Sequence, residues 1–487
     1  MATDPLQRLD SYPYRHRVAE VMSKPLVTAD AQDSVTAVAN RMVERSVSSV
    51  VVLDAAGRPH GIATERDILR FFATSNRMAD AAVCDLMSSP VAIVGEIAFV
   101  YVAIGRMARL GLRHLVAVDA DGRAVGMVTG RSLLELRSAG TVQIGDRIAV
   151  ASTAEDLAAA RAELPSLCRR LLAEAVSAVD VAAVITAVYV DLTTRTAALV
   201  EADMAREPGF GPAPAPWCLL MLGSGGRGES MLAPDQDNAI LHSGNAADDP
   251  WYAEAGRRIA DRLNEAGIPY CKGGVMAMNA AWRGSLSDWK ARLQGWARTS
   301  DPDALLAVDI FYDFTSVFGD AALAEALRAF ATEVAVGSSE FLRRLGLVLE
   351  GHKPPLGLFG RFVKRDGRVD LKLGGLLPLV AGARLLALRY GITDTDTSGR
   401  LSALRHAGSG GTDERDALTD AQELLMRAIL DQQLDDLDHG HAPSSRVDPG
   451  RWSRRRATAM KEALHAVSGL RVLVMDALSA SATKARD

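Results

Sequence analysis

Two stretches in the first third of the chain repeat each other at a constant offset of 65 residues. Val21–Pro25 reads V-M-S-K-P, and Leu86–Pro90 reads L-M-S-S-P. The same offset pairs later turn residues: Asp54 with Asp119, Gly57 with Gly122, Gly61 with Gly126, and Thr64 with Thr129. One register kept over so many turn positions indicates a duplicated structural unit, because self-similarity at a fixed period is typical of repeated folds.

The sequence pattern of each copy predicts the same order of secondary-structure elements. An amphipathic helix precedes a β-rich run, a glycine turn, a second strand and a closing helix. The predicted helices span 34–44 and 98–110, and the predicted strands span 49–53, 60–63, 115–118 and 124–128. This pattern resembles the CBS domain. We therefore expect CBS domain 1 over residues 15–75 and CBS domain 2 over residues 80–140.

In CBS pairs that bind adenine nucleotides, the segment G-h-h-T-x-x-D carries the ligand, and Gly61–Asp67 matches it. The resemblance implies that the hydroxyl of Thr64 meets phosphate and that Asp67 accepts from the ribose hydroxyls. The second copy retains Thr129 but has Ser132 in place of the acid, so at most one site is complete. A helix cap is the alternative role for the first pair. CBS pairs also serve as dimerisation units, and the resemblance implies a homodimer.

The rest of the chain divides into three predicted regions. Apolar residues at helical spacing indicate a helical connector over residues 150–206. The proline- and glycine-rich segment Glu207–Pro216 then begins a core over 207–335. Helical patterns dominate a last region over 338–482. The predicted fold class is multidomain α/β (α+β), with a tandem CBS pair, a core around a small mixed sheet and an all-α C-terminal domain.

The core begins with a short apolar run, Trp217–Leu222, that predicts a buried strand. G-S-G-G-R-G-E-S follows, and D-Q-D comes shortly after it. Asp235 and Asp237 are two apart, so in an extended chain they lie on one face. Two such carboxylates repel each other unless a divalent cation binds between them, and Mg²⁺ takes one or two carboxylates together with phosphate oxygens. Gly223 and Ser224 leave room for a triphosphate.

A glycine-serine turn followed by D-x-D resembles the polymerase-β nucleotidyltransferase superfamily. The string is similar to the PII uridylyltransferases and glutamine-synthetase adenylyltransferases, which read G-S-x-G-R-x-E and then S-D-x-D, although Pro234 replaces the serine. The resemblance implies two Mg²⁺ or Mn²⁺ ions at Asp235, Asp237 and a third carboxylate, and an NTP bound by Gly223, Ser224 and Arg227.

The third carboxylate is expected on a strand over 307–314. Asp309 and Asp313 would share one face of that strand. Asp313 is the preferred catalytic residue and metal ligand, because its surroundings F-Y-D-F resemble F-F-D-F-R in this branch, with Thr315 replacing the arginine. The choice between Asp309 and Asp313 stays open, as does a structural role at a strand end.

Lys372 is a further candidate. Asp370–Leu376 resembles the K-x-G-x-G-G-L motif that follows the core in the same branch. Lys372 is expected to bind the NTP, and a plain surface lysine is the alternative. With the CBS pair and the helical tail, the whole chain resembles a bacterial nucleotidyltransferase family that has tandem CBS domains and a C-terminal substrate-binding domain.

The composition of the chain indicates which kinds of partner and which compartment to expect. A net charge of −5 does not suggest a nucleic-acid-binding surface. The apolar run 181–190 is shorter than the ~20 residues that span a bilayer, so no membrane partner is expected. Four widely spaced cysteines indicate reduced thiols in a cytoplasmic protein.

The expected activity is transfer of a nucleoside monophosphate from an NTP to a hydroxyl acceptor on a protein, with release of pyrophosphate and regulation by adenine nucleotide at the CBS pair. The alternative is a catalytically silent nucleotide-sensing protein that recruits a partner.

Overall fold

The computed structural model describes residues 17–74, 81–129, 143–299, 308–351, 353–357, 360–404 and 412–479. The chain forms two compact units, residues 1–150 and residues 151–487. Each unit is described separately below.

The first unit contains two copies of one small αβ arrangement. Its elements are α1 (Val18–Val21), β1 (Thr28–Asp30), α2 (Val35–Arg45), β2 (Ser49–Leu53), β3 (Pro59–Thr64), α3 (Glu65–Thr74), β4 (Ile93–Gly95), α4 (Val100–Leu110), β5 (His114–Val118), β6 (Ala124–Thr129) and α5 (Gln143–Val150). In each copy the first strand pairs parallel with the second, and the second pairs antiparallel with the third. The duplicated layout predicted from the sequence is therefore confirmed.

The two copies exchange their leading segments. Ser23, which precedes the first sheet, forms backbone hydrogen bonds with Met127 of the second copy. Ser88, which precedes the second sheet, bonds in the same way to Ile62 of the first copy. A shared apolar cluster that includes Val51 and Val116 lies between the sheets. Because each copy completes the other, the pair forms one folded body.

The second unit begins with three helices and a four-stranded sheet with its covering helices. Its elements up to residue 336 are α6 (Ala154–Arg161), α7 (Leu164–Ala173), α8 (Ala178–Arg206), β7 (Trp217–Met221), α9 (Gly223–Arg227), β8 (Asn238–His242), α10 (Asp249–Glu265), β9 (Arg283–Ser285), α11 (Leu286–Arg298), β10 (Thr315–Gly319) and α12 (Ala321–Val336). The sheet order is β10-β7-β8-β9, with β8 and β9 parallel and the other neighbours antiparallel. The small mixed sheet was predicted correctly.

Helix α8 has 29 residues, and by length and composition it could cross a membrane. However, 56% of its apolar window is buried within the protein. Thr194 donates to the carbonyl of Val317 at 2.7 Å, and Thr186 accepts from the backbone N–H of Ser230 at 2.7 Å. The residues predicted as a connector therefore pack as part of the second unit.

Helices dominate the end of the second unit. Its elements are α13 (Ser339–Val348), β11 (Val369–Asp370), a π-helical turn (Lys372–Leu376), α14 (Leu377–Arg389), α15 (Thr397–Leu404), α16 (Thr412–Asp438), β12 (Arg446–Val447) and α17 (Arg454–Ser479). Strands β11 and β12 form a two-stranded antiparallel ladder, so this region is largely but not entirely α-helical. The multidomain α/β fold class is confirmed.

Candidate active site

The buried strand β7 leads directly into the short helix α9. Gly223, the first residue of α9, has φ of +57°. A Cβ at this position would lie 2.6 Å from Oδ2 of Asp237. Glycine at this position therefore leaves room for the Asp237 carboxylate against the start of α9. The structure brings Gly223 and Asp237 together, although the expected turn is the first turn of a helix.

Gln236 orients the two aspartates that flank it. Its side chain is 3% exposed, and Nε2 donates to the carbonyls of Ala260 at 2.9 Å and Ile268 at 2.8 Å. Because adjacent residues in extended backbone point to opposite faces, Asp235 and Asp237 project away from this anchor. Strand β8 begins one residue after Asp237, so the pair lies at the strand entrance rather than within it.

A cysteine completes the group around the two carboxylates. Ligand atoms of Asp235, Asp237 and Cys271 all lie within 4.8 Å of one another. The sequence interpretation treated Cys271 as one of four reduced thiols and missed this position. The only sequence signal is its place next to the glycine turn Gly273-Gly274, which by itself indicates no ligand.

The electrostatics of this group favour a cation. Burial, followed by the charge of Asp235, raises the pKa of Asp237 to about 6. A hydrogen bond from Cys271 and the charge of Lys372 act in the opposite direction. Lys372 is exposed, and its charge reaches Asp237 from the C-terminal helical region. The predicted Lys372 thus lies within electrostatic range of the aspartate pair.

These residues fit a divalent cation. Asp235 and Asp237 offer carboxylate oxygens, the ligands that Mg²⁺ and Mn²⁺ prefer. Burial and the neighbouring charge of Asp235 both oppose ionisation of Asp237 and raise its pKa, and a bound cation would offset both effects. A small cavity of about 30 Å³ lies beside the pair, and Ser224, Tyr189 and Thr193 are among its other lining residues.

Asp313 has a different environment from the one predicted. Residues 308–310 are helical and strand β10 begins at Thr315, so the strand expected over 307–314 is wrong for its described part. Asp313 is fully buried. Its Oδ1 lies 2.9 Å from Nε of Arg384 and 2.8 Å from Nη1 of Arg400. Its Oδ2 lies 2.6 Å from Nη2 of Arg384 and 2.6 Å from Nη1 of Arg227.

Three guanidinium groups therefore occupy the Asp313 carboxylate, and it does not join the Asp235–Asp237 group. Although burial by itself would raise the pKa of Asp313, Arg384, Arg400 and Arg227 hold that pKa well below its usual range. The alternative candidate, Asp309, also pairs with Arg384. The structure thus assigns both predicted third carboxylates to ion pairs.

Arg227 also differs from its prediction as an NTP ligand. Its Nε donates to Glu229 at 2.7 Å, and Nη1 donates to Asp313. Glu229 is 7% exposed and also accepts from the backbone N–H of Thr397 at 2.7 Å. We call the six charged residues of this network the arginine–carboxylate hub: Arg227, Glu229, Asp309, Asp313, Arg384 and Arg400.

Gly226 permits the close packing on which the hub depends. A Cβ at this position would lie 1.9 Å from the backbone oxygen of Asp313. Any side chain would force α9 away from the segment that precedes β10. The glycines of the G-S-G-G-R string therefore have two distinct roles: Gly223 admits the Asp237 carboxylate, and Gly226 admits the Asp313 backbone.

The predicted CBS ligand residues bond to each other. Oδ2 of Asp67 accepts from the hydroxyl of Thr64 at 2.6 Å and from its backbone N–H at 3.0 Å, which caps helix α3. This matches the structural alternative for the pair. Thr129 ends β6 opposite His114, whose Nε2 lies 3.1 Å from Oγ of Ser48 in the other copy. Ser132 lies outside the described residues.

Family models match most of the chain. The CBS domain model matches residues 18–74 and 83–139. The model described as "Putative nucleotidyltransferase DUF294" matches residues 162–303, and its companion, "Putative nucleotidyltransferase substrate binding domain", matches residues 339–477. The chain belongs to the DUF294 nucleotidyltransferase family. The DUF294 model begins within the predicted connector, in agreement with the packing of α8 in the second unit.

Similar curated proteins match about a quarter of the chain. An uncharacterized protein, MK0525 of Methanopyrus kandleri, is 32% identical over 120 residues, which are 24% of this chain and 61% of that protein. An uncharacterized 17.7 kDa protein of Acidianus ambivalens is 32% identical over 130 residues, 26% of this chain and 78% of that protein. The carnitine transport ATP-binding protein OpuCA of Listeria monocytogenes is 27% identical over 128 residues, 31% of its length.

Solved structures similar to the chain include CBS proteins. The CBS domain protein PAE2072 from Pyrobaculum aerophilum, complexed with AMP, is 29% identical with a TM-score of 0.24, and the match covers 26% of this chain and all of that one. The CBS domain pair of MJ0100, in complex with 5′-methylthioadenosine and S-adenosyl-L-methionine, is 24% identical with a TM-score of 0.23 and covers 25% of this chain and 94% of that one.

Proposed function

We propose that this DUF294 nucleotidyltransferase transfers a nucleoside monophosphate from an NTP to a hydroxyl acceptor and releases pyrophosphate. The observation that carries the proposal is the Asp235–Asp237 pair, held on one face by the Gln236 anchor at the edge of a cavity. A fold that only needed stability would gain nothing from two adjacent carboxylates, one of which has a raised pKa.

Each residue of the site has a defined task in this proposal. Asp235 and Asp237 hold Mg²⁺ or Mn²⁺, which when bound neutralises phosphate charge and orients the reacting groups. Ser224 lines the same cavity and offers a hydroxyl to a phosphate oxygen. Lys372 belongs to the C-terminal helical region of the same unit and adds positive charge near the aspartate pair. In this proposal that charge stabilises the departing pyrophosphate. Arg227 and Asp313 support the site from the hub without contacting the nucleotide.

We assign the acceptor to a protein, as in the PII uridylyltransferases that the signature string resembles. The family model for residues 339–477 is described as substrate binding. The charge of Lys372 from this region reaches Asp237. An acceptor bound to this region would therefore lie near the aspartate pair, which supports a side-chain hydroxyl as the attacking group.

The CBS pair is the proposed regulatory part. An adenine nucleotide bound near Thr64, Asp67 and Thr129 would displace the present bond between Thr64 and Asp67. Helix α3 exposes Leu69 (68%) and Phe72 (67%), an apolar face suited to a second copy in a homodimer. We place the protein in the cytoplasm, because all four cysteines are free thiols.

Radiolabel transfer tests the activity. The wild-type protein and Asp235→Asn/Asp237→Asn are incubated with each α-³²P NTP and Mg²⁺ in lysate of the source cells and resolved on a denaturing gel. We expect one NTP to label one acceptor band with the wild type only, since the variant lacks both metal carboxylates. Glu462→Gln, an exposed acid on α17, serves as the matched control and should label normally.

One observation favours the alternative, a catalytically silent nucleotide-sensing protein that recruits a partner. Asp313, the expected third carboxylate, is fully occupied by arginines. If no NTP labels any band while both proteins still bind nucleotide, the transferase proposal is wrong and the sensing function stands.

A further inference from the structure

Two segments of the C-terminal helical region carry far more positive charge than the rest of the chain. Residues 353–372 contain six lysines and arginines and two aspartates, and residues 446–461 contain six lysines and arginines and one aspartate. These 36 residues have a formal charge of +9, in a chain whose net charge is −5. A solvated protein surface normally mixes charges of both signs, whereas a surface of one sign attracts partners of the opposite sign.

The two basic segments lie together in the fold. Strands β11 and β12 join them, with Val369 opposite Val447. The rings of Phe362 and Trp452 meet edge to face, with their centroids 5.3 Å apart. Nζ of Lys461 lies 5.6 Å from the centroid of the Phe362 ring. The segments therefore form one continuous surface.

A tight turn fixes the backbone of the first segment. Arg365 and Arg368 exchange two backbone hydrogen bonds, of 2.8 Å and 3.0 Å. Asp366 and Gly367 lie between them with φ of +51° and +78°. Two consecutive left-handed residues close a two-residue hairpin. Lys364 and Arg365 are therefore presented to the solvent from ordered backbone.

Six cationic side chains of these segments are not neutralised by the protein itself. Five are exposed and one is half-buried, and we call them the basic surface: Arg361, Lys364, Arg365, Arg454, Arg455 and Lys461. Within the described ranges none of the six forms an ion pair, whereas Arg368, Arg451 and Arg456 beside them each pair with an aspartate. The charge of the basic surface is therefore open to a partner.

We propose that the basic surface binds an acidic surface of the acceptor protein. Strand β11 ends two residues before Lys372, whose charge reaches Asp237. A protein bound to the basic surface would therefore lie close to the aspartate pair. The proposal rests on the proposed function, because it states how that function recognises its protein acceptor.

The side chains around the charges favour a protein partner over a single-stranded nucleic acid. Single strands bind by stacking their bases on exposed aromatic rings. Here the half-buried rings of Phe362 and Trp452 pack against each other, and Lys461 lies over Phe362. Val363, next to Lys364, is 54% exposed and offers an apolar contact to a protein.

Fluorescence anisotropy tests the basic surface without any need for turnover. Full-length protein is titrated into a fluorescein-labelled polyglutamate peptide. We expect saturable binding that weakens about 10-fold between 50 mM and 300 mM NaCl, because salt screens exposed charges. Arg454→Ser/Arg455→Ser should bind the peptide about 5-fold more weakly, since exposed ion pairs are individually weak. Arg298→Ser/Arg471→Ser, which removes two exposed arginines elsewhere in the second unit, is the matched control and should bind as the wild type does.

Lys364→Ser/Arg365→Ser tests the other segment of the basic surface. It should also bind the peptide about 5-fold more weakly, because it removes the same number of exposed charges. Its thermal unfolding should match that of the wild type, which separates loss of charge from loss of the fold. In the radiolabel assay, an excess of unlabelled peptide should reduce labelling of the acceptor by the wild type.

Equal peptide affinities of the wild type and both basic-surface variants would overturn the proposal. Tighter binding of an oligouridylate than of the peptide would assign the surface to nucleic acid instead. Light scattering that shows the variants dissociating a wild-type oligomer would assign it to a second copy of this chain. A protein that binds the peptide through these residues and labels no acceptor would keep the acidic partner and lose the enzymatic function.

Discussion

The ionised carboxylate of Asp237 lowers the free energy of unfolding of the metal-free protein. Its carboxylate is half-buried, lies near Asp235 and packs against Gly223, and its pKa is raised to about 6. An acid whose pKa is higher in the folded state binds more protons there than in the unfolded state. The stability of the metal-free protein should therefore fall as the pH rises from about 4 through 6, and stay low above that range.

Asp237→Asn should stabilise the metal-free protein at pH 8, because the neutral amide avoids this charge burial. At about 1.4 kcal/mol per pKa unit, the gain in the free energy of unfolding is at most roughly 3 kcal/mol. Urea unfolding in EDTA at pH 8 and pH 4.5 measures it, and the gain should shrink at the lower pH. Asp235→Asn, at an exposed position, is the control and should gain less. Equal stabilities of wild type and Asp237→Asn at pH 8 would contradict the argument.

The aspartate pair could be predicted from the sequence, and its third neighbour could not. Asp235, Asp237 and Gly223 belong to one short local pattern whose spacing determines their geometry. Cys271 reaches the pair through backbone bonds between segments that are separate in the chain. No spacing within the sequence encodes that contact, so the sequence interpretation grouped Cys271 with the other reduced thiols.

At the scale of elements, the arginine–carboxylate hub joins the signature helix to the C-terminal helices. Helix α9 contributes Arg227, and helices α14 and α15 contribute Arg384 and Arg400. Asp313 lies among them, accepts hydrogen bonds from Arg227 and Arg384, and forms an ion pair with Arg400. The partners are 86 and 71 residues apart in the chain. An F-Y-D-F string next to a strand is compatible with either a metal ligand or an ion pair, and only the tertiary contacts distinguish them.

Asp313→Asn should destabilise the second unit strongly, since it leaves three buried guanidinium groups with one less carboxylate. Breaking a buried ion pair by removing one partner costs about 3–5 kcal/mol. The double variant Asp313→Asn/Arg384→Met should recover part of this loss, because it also removes one uncompensated charge. Thermal unfolding of the single and double variants measures both effects. An unchanged melting temperature in the single variant would show that the hub contributes little.

The arginine–carboxylate hub also predicts that the protein loses stability at low pH. The pKa of Asp313 in the folded protein lies well below its usual range. The ionised carboxylate therefore contributes its full stabilisation above the pKa of the unfolded state, near 4, and this stabilisation is lost as the pH falls toward the pKa of the folded state. Between pH 4 and pH 2 the wild type should therefore lose stability more steeply than Asp313→Asn. Urea unfolding across this range compares the two slopes, and parallel slopes would contradict the assignment.

At the scale of the whole molecule, the chain consists of two units, and each contains buried apolar residues of its own. The division falls after Val150, and each unit is compact by itself. The fragment 151–487 should therefore fold without the CBS pair. If the CBS pair is regulatory, this fragment should label the acceptor at a rate that AMP or ATP at the CBS site no longer changes. Labelling by full-length protein and fragment, with and without AMP, measures this. A fragment that still responds to AMP would place the regulatory site elsewhere.

The fold class and the duplicated first unit were predictable, because the repeat and the helical periodicity are properties of consecutive residues. The two-stranded ladder β11–β12 was not, since each strand has two residues and pairs with a segment far along the chain. Residues 150–206 were predicted as a connector from their helical pattern. Their place in the second unit depends on packing against the sheet, which the pattern does not encode.

The arginine–carboxylate hub constrains where recombination can divide the gene. The two nucleotidyltransferase family models meet between residues 303 and 339, and ion pairs of the hub cross that junction. A recombination event there would separate Arg384 and Arg400 from Arg227 and Glu229, and would leave unmatched charges in both products. The catalytic and C-terminal regions should therefore descend as one inseparable gene segment.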